Sequence, residues 1–438
     1  MSYCFKKSVF KILISIIFSF VFSSCTLRSR HKADAKNSGQ TDLVTNVKTT
    51  TLIVNDNMKA NELSDVAEQL VTPYTFMYAQ VIFDLALEKD PHQVKALFYK
   101  SLLKRYMIFK GILTRIRPLV ESLGNIKLFD EKIKNTPETP LKQFLLDGQT
   151  DLTTTYAAQS FLVEYVRAVN YFREYLIMNP ELNTNIQLNR GFFDNHIQQF
   201  WGKSCHLISE TEFTSKLKFE CNADDISIKK VNTADLLVLR QEAAAEILAL
   251  SPITSYSLAD ADQLYKNKNF DKLPYETQIQ LIRSKPQFAT LRADHTLGLW
   301  PTLAQDFESA YQMAKEIQSE LCPKGFLSTQ TQRPENLFSK GICFSKDSES
   351  ERQKVLSSID FALKGSMPFD ILLTDKTPYH TDLDPLALSR QPINDLKLLI
   401  PNVEPKCKQV NILRDPTVKG FFPHGDAVTI LSTHFCRD

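Results

Sequence analysis

Polar and apolar positions along this chain follow three rhythms. The first is a block: Lys6, Lys7 and Lys11 precede a nearly unbroken apolar run from Ile12 to Phe22, with no acidic residue ahead of position 25. The run is too short to cross a hydrocarbon layer of about 30 Å comfortably as a helix. A basic head, an apolar middle and the small residues Ser23 and Ser24 make the layout of a signal peptide over residues 1–24. Residues 25–59 are polar and mixed, with too few large apolar groups to offset the entropy of ordering them, and read as a tether. Inside it, Thr51-Leu52-Ile53-Val54 is a weak strand candidate.

The second rhythm is helical. Leu63, Val66, Ala67 and Leu70 fall at i, i+3, i+4 and i+7, one face of a helix over Asn61–Leu70. Thr72 as N-cap and Pro73 in the first turn predict a second helix, running to Lys89 and stopped by Asp90-Pro91, with Phe76, Ala79, Phe83 and Ala86 inward. Further helices are expected from Thr153 to Met178 before Asn179-Pro180, and from Ala234 to Leu250 before Ser251-Pro252. Another ends at Lys285-Pro286, and one over residues 301–321 turns Leu303, Phe307, Ala310 and Ala314 to one side. The apolar stretch after Pro91 carries many Lys and Arg residues, which predicts a repeat helix with a solvated basic face in preference to a helix lying on a membrane.

The third rhythm is alternation. Phe213, Leu217 and Phe219 alternate between Cys205 and Cys221, which predicts a hairpin within an insertion at 187–232. A second hairpin is expected between Cys407 and Cys436, from the apolar runs 410–413 and 427–431 with turn residues Asp415, Pro416 and 423–426 between them. The organisation is therefore a helical domain at 60–186, the insertion at 187–232, helices continuing over 233–321 and a loop-rich region at 322–438.

Composition agrees with this picture. Twelve glycines against twenty prolines suit helices joined by proline-punctuated loops. Without the three signal lysines the charges are 49 basic and 50 acidic, a balance that lacks the surplus a nucleic-acid binder needs. Beyond Cys4 and Cys25, six cysteines remain: Cys205, Cys221, Cys322, Cys343, Cys407 and Cys436. They allow fifteen pairings. Their grouping into successive neighbours, 16, 21 and 29 residues apart, favours three local disulfides in an exported chain, each worth on the order of 3 kcal/mol. None of the spacings is that of a zinc site.

Two stretches resemble known families. Val21-Phe22-Ser23-Ser24-Cys25 resembles the lipobox of bacterial lipoproteins, although Phe22 stands where that family usually has a non-aromatic residue. The resemblance implies that Cys25 becomes the mature N-terminus, bearing a diacylglyceryl thioether and an N-acyl chain such as palmitate. Several chains, at about 0.8 kcal/mol per buried CH₂, make a durable anchor. Thr26, in place of aspartate, implies the outer membrane. With Pro91 as the closing proline, Leu63, Val66, Ala67, Leu70, Ala79, Phe83 and Ala86 resemble the signature of a tetratricopeptide repeat. Ala168 and Phe172 recur 12 and 8 residues before Pro180, but Tyr175 replaces the later alanine, and no constant period runs through the chain. The expected fold is mainly α: a degenerate TPR-like helical-repeat scaffold with small disulfide-closed β-hairpin insertions.

Reaction chemistry is sparsely signalled. No GxSxG, HExxH, phosphate loop or CxxC pair occurs, and neither a cofactor nor a metal is expected. His380, Asp382 and Asp384 alternate as metal ligands on a strand would, yet between Pro378 and Pro385 they read better as a loop with helix-capping aspartates. His295 near Trp300 and His196 near Trp201 are candidate bases beside an aromatic wall, with structural histidines the commoner outcome. The favoured function is a non-enzymatic envelope protein, anchored to the membrane by lipid, that binds another protein or a peptide and no nucleic acid. The alternatives are a ligand-binding lipoprotein resembling the helical-repeat component of TRAP-type transporters, and an envelope enzyme acting on peptidoglycan or polysaccharide.

Overall fold

A computed structural model describes residues 49–72, 75–122, 126–136, 138–180, 186–189, 206–211, 216–222, 228–230, 233–266, 273–306, 308–309, 367–372, 378–384, 386–399 and 417–425, with Gly124, Leu182, Phe270 and Asp415. The described residues are mainly helical. In chain order the elements are β1 Thr49–Val54, α1 Ala60–Gln69, α2 Phe76–Lys89, α3 Val94–Met107, α4 Ile112–Arg115, α5 Arg117–Ser122, α6 Ile126–Asn135, α7 Pro140–Leu146 and α8 Thr155–Met178. Then come β2 Gln187–Asn189, β3 His206–Thr211, β4 Lys216–Asn222, β5 Ile228–Lys230, α9 Thr233–Ser255, α10 Ala261–Lys266, α11 Tyr275–Arg283, β6 Met367–Leu372, β7 Pro378–Leu383 and α12 Ala387–Arg390. Contacts divide them into two compact units. One holds the described residues up to Ile112 with Lys127–Gly148 and Leu182–Val231, the other Leu113–Ile126, Gln149–Glu181 and the described residues after Val231. The stretch 60–186 is thus shared between the units, while 187–231 belongs with the first helices.

In the first unit α1 starts where the Glu62 carboxylate accepts from the backbone N–H of Lys59 at 2.8 Å. The next helix begins at Phe76, three residues later than Thr72-Pro73 predicts. Thr72 is buried instead, its hydroxyl bonded to that of Thr75 at 2.7 Å, and Thr75 Oγ1 also lies 2.7 Å from the Leu70 carbonyl oxygen. Those contacts fix the corner between α1 and α2. Asp90 ends α2 as expected, and the Gln93 side chain accepts from Ala96 N at 2.6 Å to open α3.

The basic stretch after Pro91 is not one helix with a uniformly solvated face. It breaks at Gly111, where φ is +70°, and both Lys95 and Arg105 are buried. The segment 187–232 also holds more than a hairpin. β3 and β4 pair antiparallel, Leu207 against Phe219, and β1 joins the far side of β4 with Leu52 opposite Phe219. Part of the expected tether is therefore sheet, because Leu52 and Val54 are buried, as is Phe219, which meets the Tyr78 ring of α2 at 5.5 Å.

The second unit is built on α8 and α9, which pack against each other, with Phe161, Leu162, Val169 and Phe172 of one and Leu239, Ala243, Ala244 and Ile247 of the other buried. Thr154 caps α8, accepting from Ala157 N at 3.0 Å, and the helix stops at Met178 where Asn179-Pro180 predicts. By contrast α9 continues through Pro252 to Ser255. Proline costs a helix one backbone bond, but Ser251, Thr254 and Ser255 of this last turn are buried and tie it down. Ser251 Oγ donates to Ile247 O at 2.9 Å, Thr254 Oγ1 donates to Leu250 O at 3.0 Å, and Thr254 shares a bond with Thr296 at 3.0 Å. A ribbon of backbone then crosses the unit, with Ser257 N bonded to Thr290 O and Leu291 N to Asn394 O. Lys397 Nζ closes it by donating to the carbonyls of Lys285, Pro286 and Phe288 at 3.1, 3.1 and 2.6 Å. α11 ends at Arg283, ahead of the predicted Lys285-Pro286 stop. Residues 300–306 and 308–309 are helical, with Leu303 buried, while Phe307, Ala310 and Ala314 lie outside the described residues.

Two glycines separate backbone conformation from packing. At Gly111 a Cβ would lie 2.7 Å from the Asp147 carbonyl oxygen, whereas at Gly124, with φ +76°, it would meet nothing within 4 Å. Gly124→Ala should cost only the left-handed backbone penalty of about 1–2 kcal/mol. Gly111→Ala should cost clearly more in urea denaturation, and equal losses would contradict the close packing.

Candidate functional site

The residues of the predicted repeat signature come together in the first unit. Leu63, Ala67 and Leu70 of α1 and Ala79, Phe83 and Ala86 of α2 are exposed by 1% or less. Val66 is half-buried, and Pro91 stands exposed just after α2. α3 packs on both helices. Its Tyr99 ring stacks on Phe83 at 4.8 Å with planes 10° apart, so the aromatic of α2 wedges against the following helix.

Sequence pattern offered no hint of the polar lock beneath that wedge. Lys95 Nζ donates to Asp65 at 2.7 Å and to Glu68 at 2.8 Å, and the Tyr99 hydroxyl donates to the other oxygen of Glu68 at 3.0 Å. Glu68 is 5% exposed and Tyr99 fully buried, so the carboxylate's charge is balanced inside the helix stack. Burial pulls the Lys95 ammonium down, but hydrogen bonds and charge from Asp65 and Glu68 outweigh it and hold the group above its ordinary value. Burial, then the Glu68 charge, pushes Tyr99 well up.

In the second unit the histidine and carboxylates at 380–384 lie on and just after β7, not in a loop. His380 and Asp382 share a face of that strand by their spacing of two. Asp382 Oδ2 is 2.8 Å from His424 Nε2, and Asp384 serves the helix-capping role, accepting from Ala387 N at 3.1 Å. Asp415 holds the turn that carries His424: it accepts from Thr417 N at 2.9 Å and Lys419 N at 2.6 Å. The Thr417 hydroxyl first, and then the Lys419 amide, keep its carboxyl below the usual range. That turn places Val418, Lys419 and Gly420 in succession at positive φ and buries Val418 with Ile393. Among the described residues no three His, Cys, Asp or Glu side chains converge to hold a metal.

His295 and Trp300 lie one turn apart beside the end of α9. His295 Nδ1 and Trp300 Nε1 are enclosed without partners among the described residues. Arg292 sits over the Tyr156 ring at 5.1 Å and bonds Asp294, Nε to Oδ1, at 2.9 Å. A second pair is bidentate: Arg115 Nε and Nη2 reach the two oxygens of Asp151 at 2.8 and 2.9 Å. A third assembly, Arg173 and Arg240 around Asp306, joins α8, α9 and residues 300–306.

Several predicted positions lie outside the described residues: Cys25 and the rest of the signal, Cys205, Cys322, Cys343, Cys407, Cys436, His196, Trp201 and the strands expected at 410–413 and 427–431. Cys221 is on β4, in register with Thr50. Among the described residues no helix is long and apolar enough to cross a membrane. Compared with family models, curated proteins and solved structures, the chain matches none.

The Lys95 lock makes a two-part prediction. Lys95→Met should cost about 3–5 kcal/mol by stranding Glu68 in the interior, and adding Glu68→Gln should recover part of that loss. Both resolved pKa values are raised, so the stability they lend is complete below pH 10, where the unfolded groups begin to titrate, and fades as pH climbs through the folded values. Thermal melts at roughly pH 9–12 should therefore show wild type losing its advantage over Lys95→Met. A constant difference across that range would remove the lock from the account.

Proposed function

We propose that this chain is a non-enzymatic lipoprotein of the bacterial cell envelope, held to the membrane by acyl groups on Cys25, and that its first helices form a degenerate tetratricopeptide-like scaffold for another envelope protein or a peptide. The observation that carries the scaffold is the α1–α2 seam. Six signature residues are buried there against one another's helices, and the aromatic at the eighth position before Pro91 stacks on α3. A repeat unit cannot cover its own apolar face and needs the next helix to do so. α3 takes that place.

The anchor rests on Val21-Phe22-Ser23-Ser24-Cys25 and the apolar run before it. An exported chain also gives its cysteines an oxidising space. A Cys205–Cys221 crosslink is favoured by the β3–β4 ladder, whose end pair His206 with Glu220 is one residue from both cysteines. The remaining pairs, Cys322 with Cys343 and Cys407 with Cys436, rest on spacing alone.

Intact mass spectrometry of the native protein from membranes tests the anchor. Cys25 should carry acyl chains, and Cys25→Ser should remove that mass and release the chain from the membrane; an unmodified Cys25 would end the lipoprotein reading. Crosslinking in intact cells tests the scaffold separately. A stoichiometric protein partner should be joined through the exposed lysines Lys89 and Lys104 of α2 and α3. Recovery of a small molecule with no protein partner would favour the transport-type lipoprotein instead.

A further inference from the structure

We infer that this chain pairs with a second copy of itself through β1, the two strands running antiparallel about a two-fold axis at Leu52. β1 ends the sheet β1-β4-β3 and pairs on one side only, with β4. Among the described residues no hydrogen bond beyond that ladder involves Thr49–Val54. The N–H and C=O groups of alternate residues along its outer side are therefore open to another strand.

The other outer strands are guarded. β3 slips its register between Leu207 and Ser209 and carries Glu210, and β6 and β7 hold Pro368 and Pro378. β2 and β5 are three residues long, and β5 has two lysines. Bulges, charges, prolines and shortness are the devices that keep sheet edges from pairing. β1 has none of them: it keeps register with β4 through all six positions, and Thr-Thr-Thr-Leu-Ile-Val is uncharged and β-branched except at Leu52.

The occupant follows from the strand's own pattern. An axis at Leu52 sets it against the partner's Leu52, Thr51 against the partner's Ile53 and Thr50 against the partner's Val54. Positions matched in this way differ by an even number, so both copies turn the same face to the same side. The buried Leu52 and Val54 then continue one covered face, and the half-exposed Ile53 stays on the other. No charge is set against another, whereas a charged foreign strand would find no counterpart on β1. The combined sheet, β3-β4-β1 continued by the partner's β1-β4-β3, ends in a guarded strand on both sides, so assembly closes at two. The inference uses neither the anchor nor the scaffold reading.

The test uses the mature chain with Cys25→Ser, so that no acyl group contributes, in sedimentation velocity over a dilution series. A monomer–dimer equilibrium is expected, at roughly micromolar strength, because one strand edge buries less area than a permanent dimer does. Ile53→Lys adds the kind of charge that guards other edges, on a side chain already 50% exposed. It should weaken the dimer by about tenfold or more while leaving the monomer's circular dichroism unchanged. Thr51→Cys combined with Ile53→Cys should join two chains by reducible crosslinks under copper-catalysed air oxidation, since those positions face each other across the axis, and wild type should not. A monomer at every concentration, which leaves the edge to a strand of another protein, or a dimer unchanged by Ile53→Lys, would overturn the inference.

Discussion

Close approach of helices through alanine is the constraint on which each unit separately depends. In the first unit Ala67, Ala79 and Ala86 are fully buried, and in the second Ala243 and Ala244 are, with Ala168 at 2%. Among the described residues no glycine lies in an α-helix, where it would weaken the helix itself. Alanine keeps helix propensity and leaves room for a neighbour. It contributes little apolar area, however, so the area must come from the residues around it. Phe83 and Tyr99 supply it in one unit, and Phe172 with Leu176 in the other.

An apolar seam alone fixes register poorly, since hydrophobic attraction has no direction. Hydrogen bonds do, and the buried charges sit where they can set it. Lys95 joins α3 to two residues of α1 one turn apart, so a slip of α3 along α1 would break both bonds at once. Gln159 does comparable work in the second unit without charge. Its amide oxygen accepts from Leu258 N at 2.9 Å and its amide nitrogen donates to Tyr256 O at 2.6 Å, which pins α8 to the chain leaving α9. Lys397 belongs to the same class, for its three carbonyl partners lie in the loop that follows α11.

These contacts explain which parts were legible in the sequence. Helix faces and most helix ends were, because a 3.6-residue period and a proline are local signals, and Met178 and Lys89 fell where Pro180 and Pro91 put them. Pro252 misled because the hydroxyls that carry α9 past it are satisfied by Thr296, some forty residues on. Thr51–Val54 read as only a weak strand candidate because its partner strand lies far off in residues 216–222, and it does form part of β1. The inward faces of α1 and α2 were readable since each is a local 3.6-residue pattern. Asp382 with His424, 42 residues apart, and Arg173 with Asp306, 133 apart, leave no pattern that spacing reveals.

The direction of the resolved pKa shifts bears on the role of these polar groups. An arginine beside each holds Asp151 and Asp294 below the usual carboxylate range, hydrogen bonding first in both cases, and the Thr417 hydroxyl does the same for Asp415. Lys95 and Arg292 are held up by their carboxylate partners against the pull of burial, and burial raises Tyr99, Tyr256 and Tyr175, the last to about 12. Each shift deepens the protonation state that the group already has at neutral pH. A general acid or base needs the opposite, a pKa drawn towards the working pH so that the proton can leave and return. Groups fixed in one state are suited to holding backbone and side chains in place, which is what the Arg115–Asp151 and Lys95–Glu68 contacts do here.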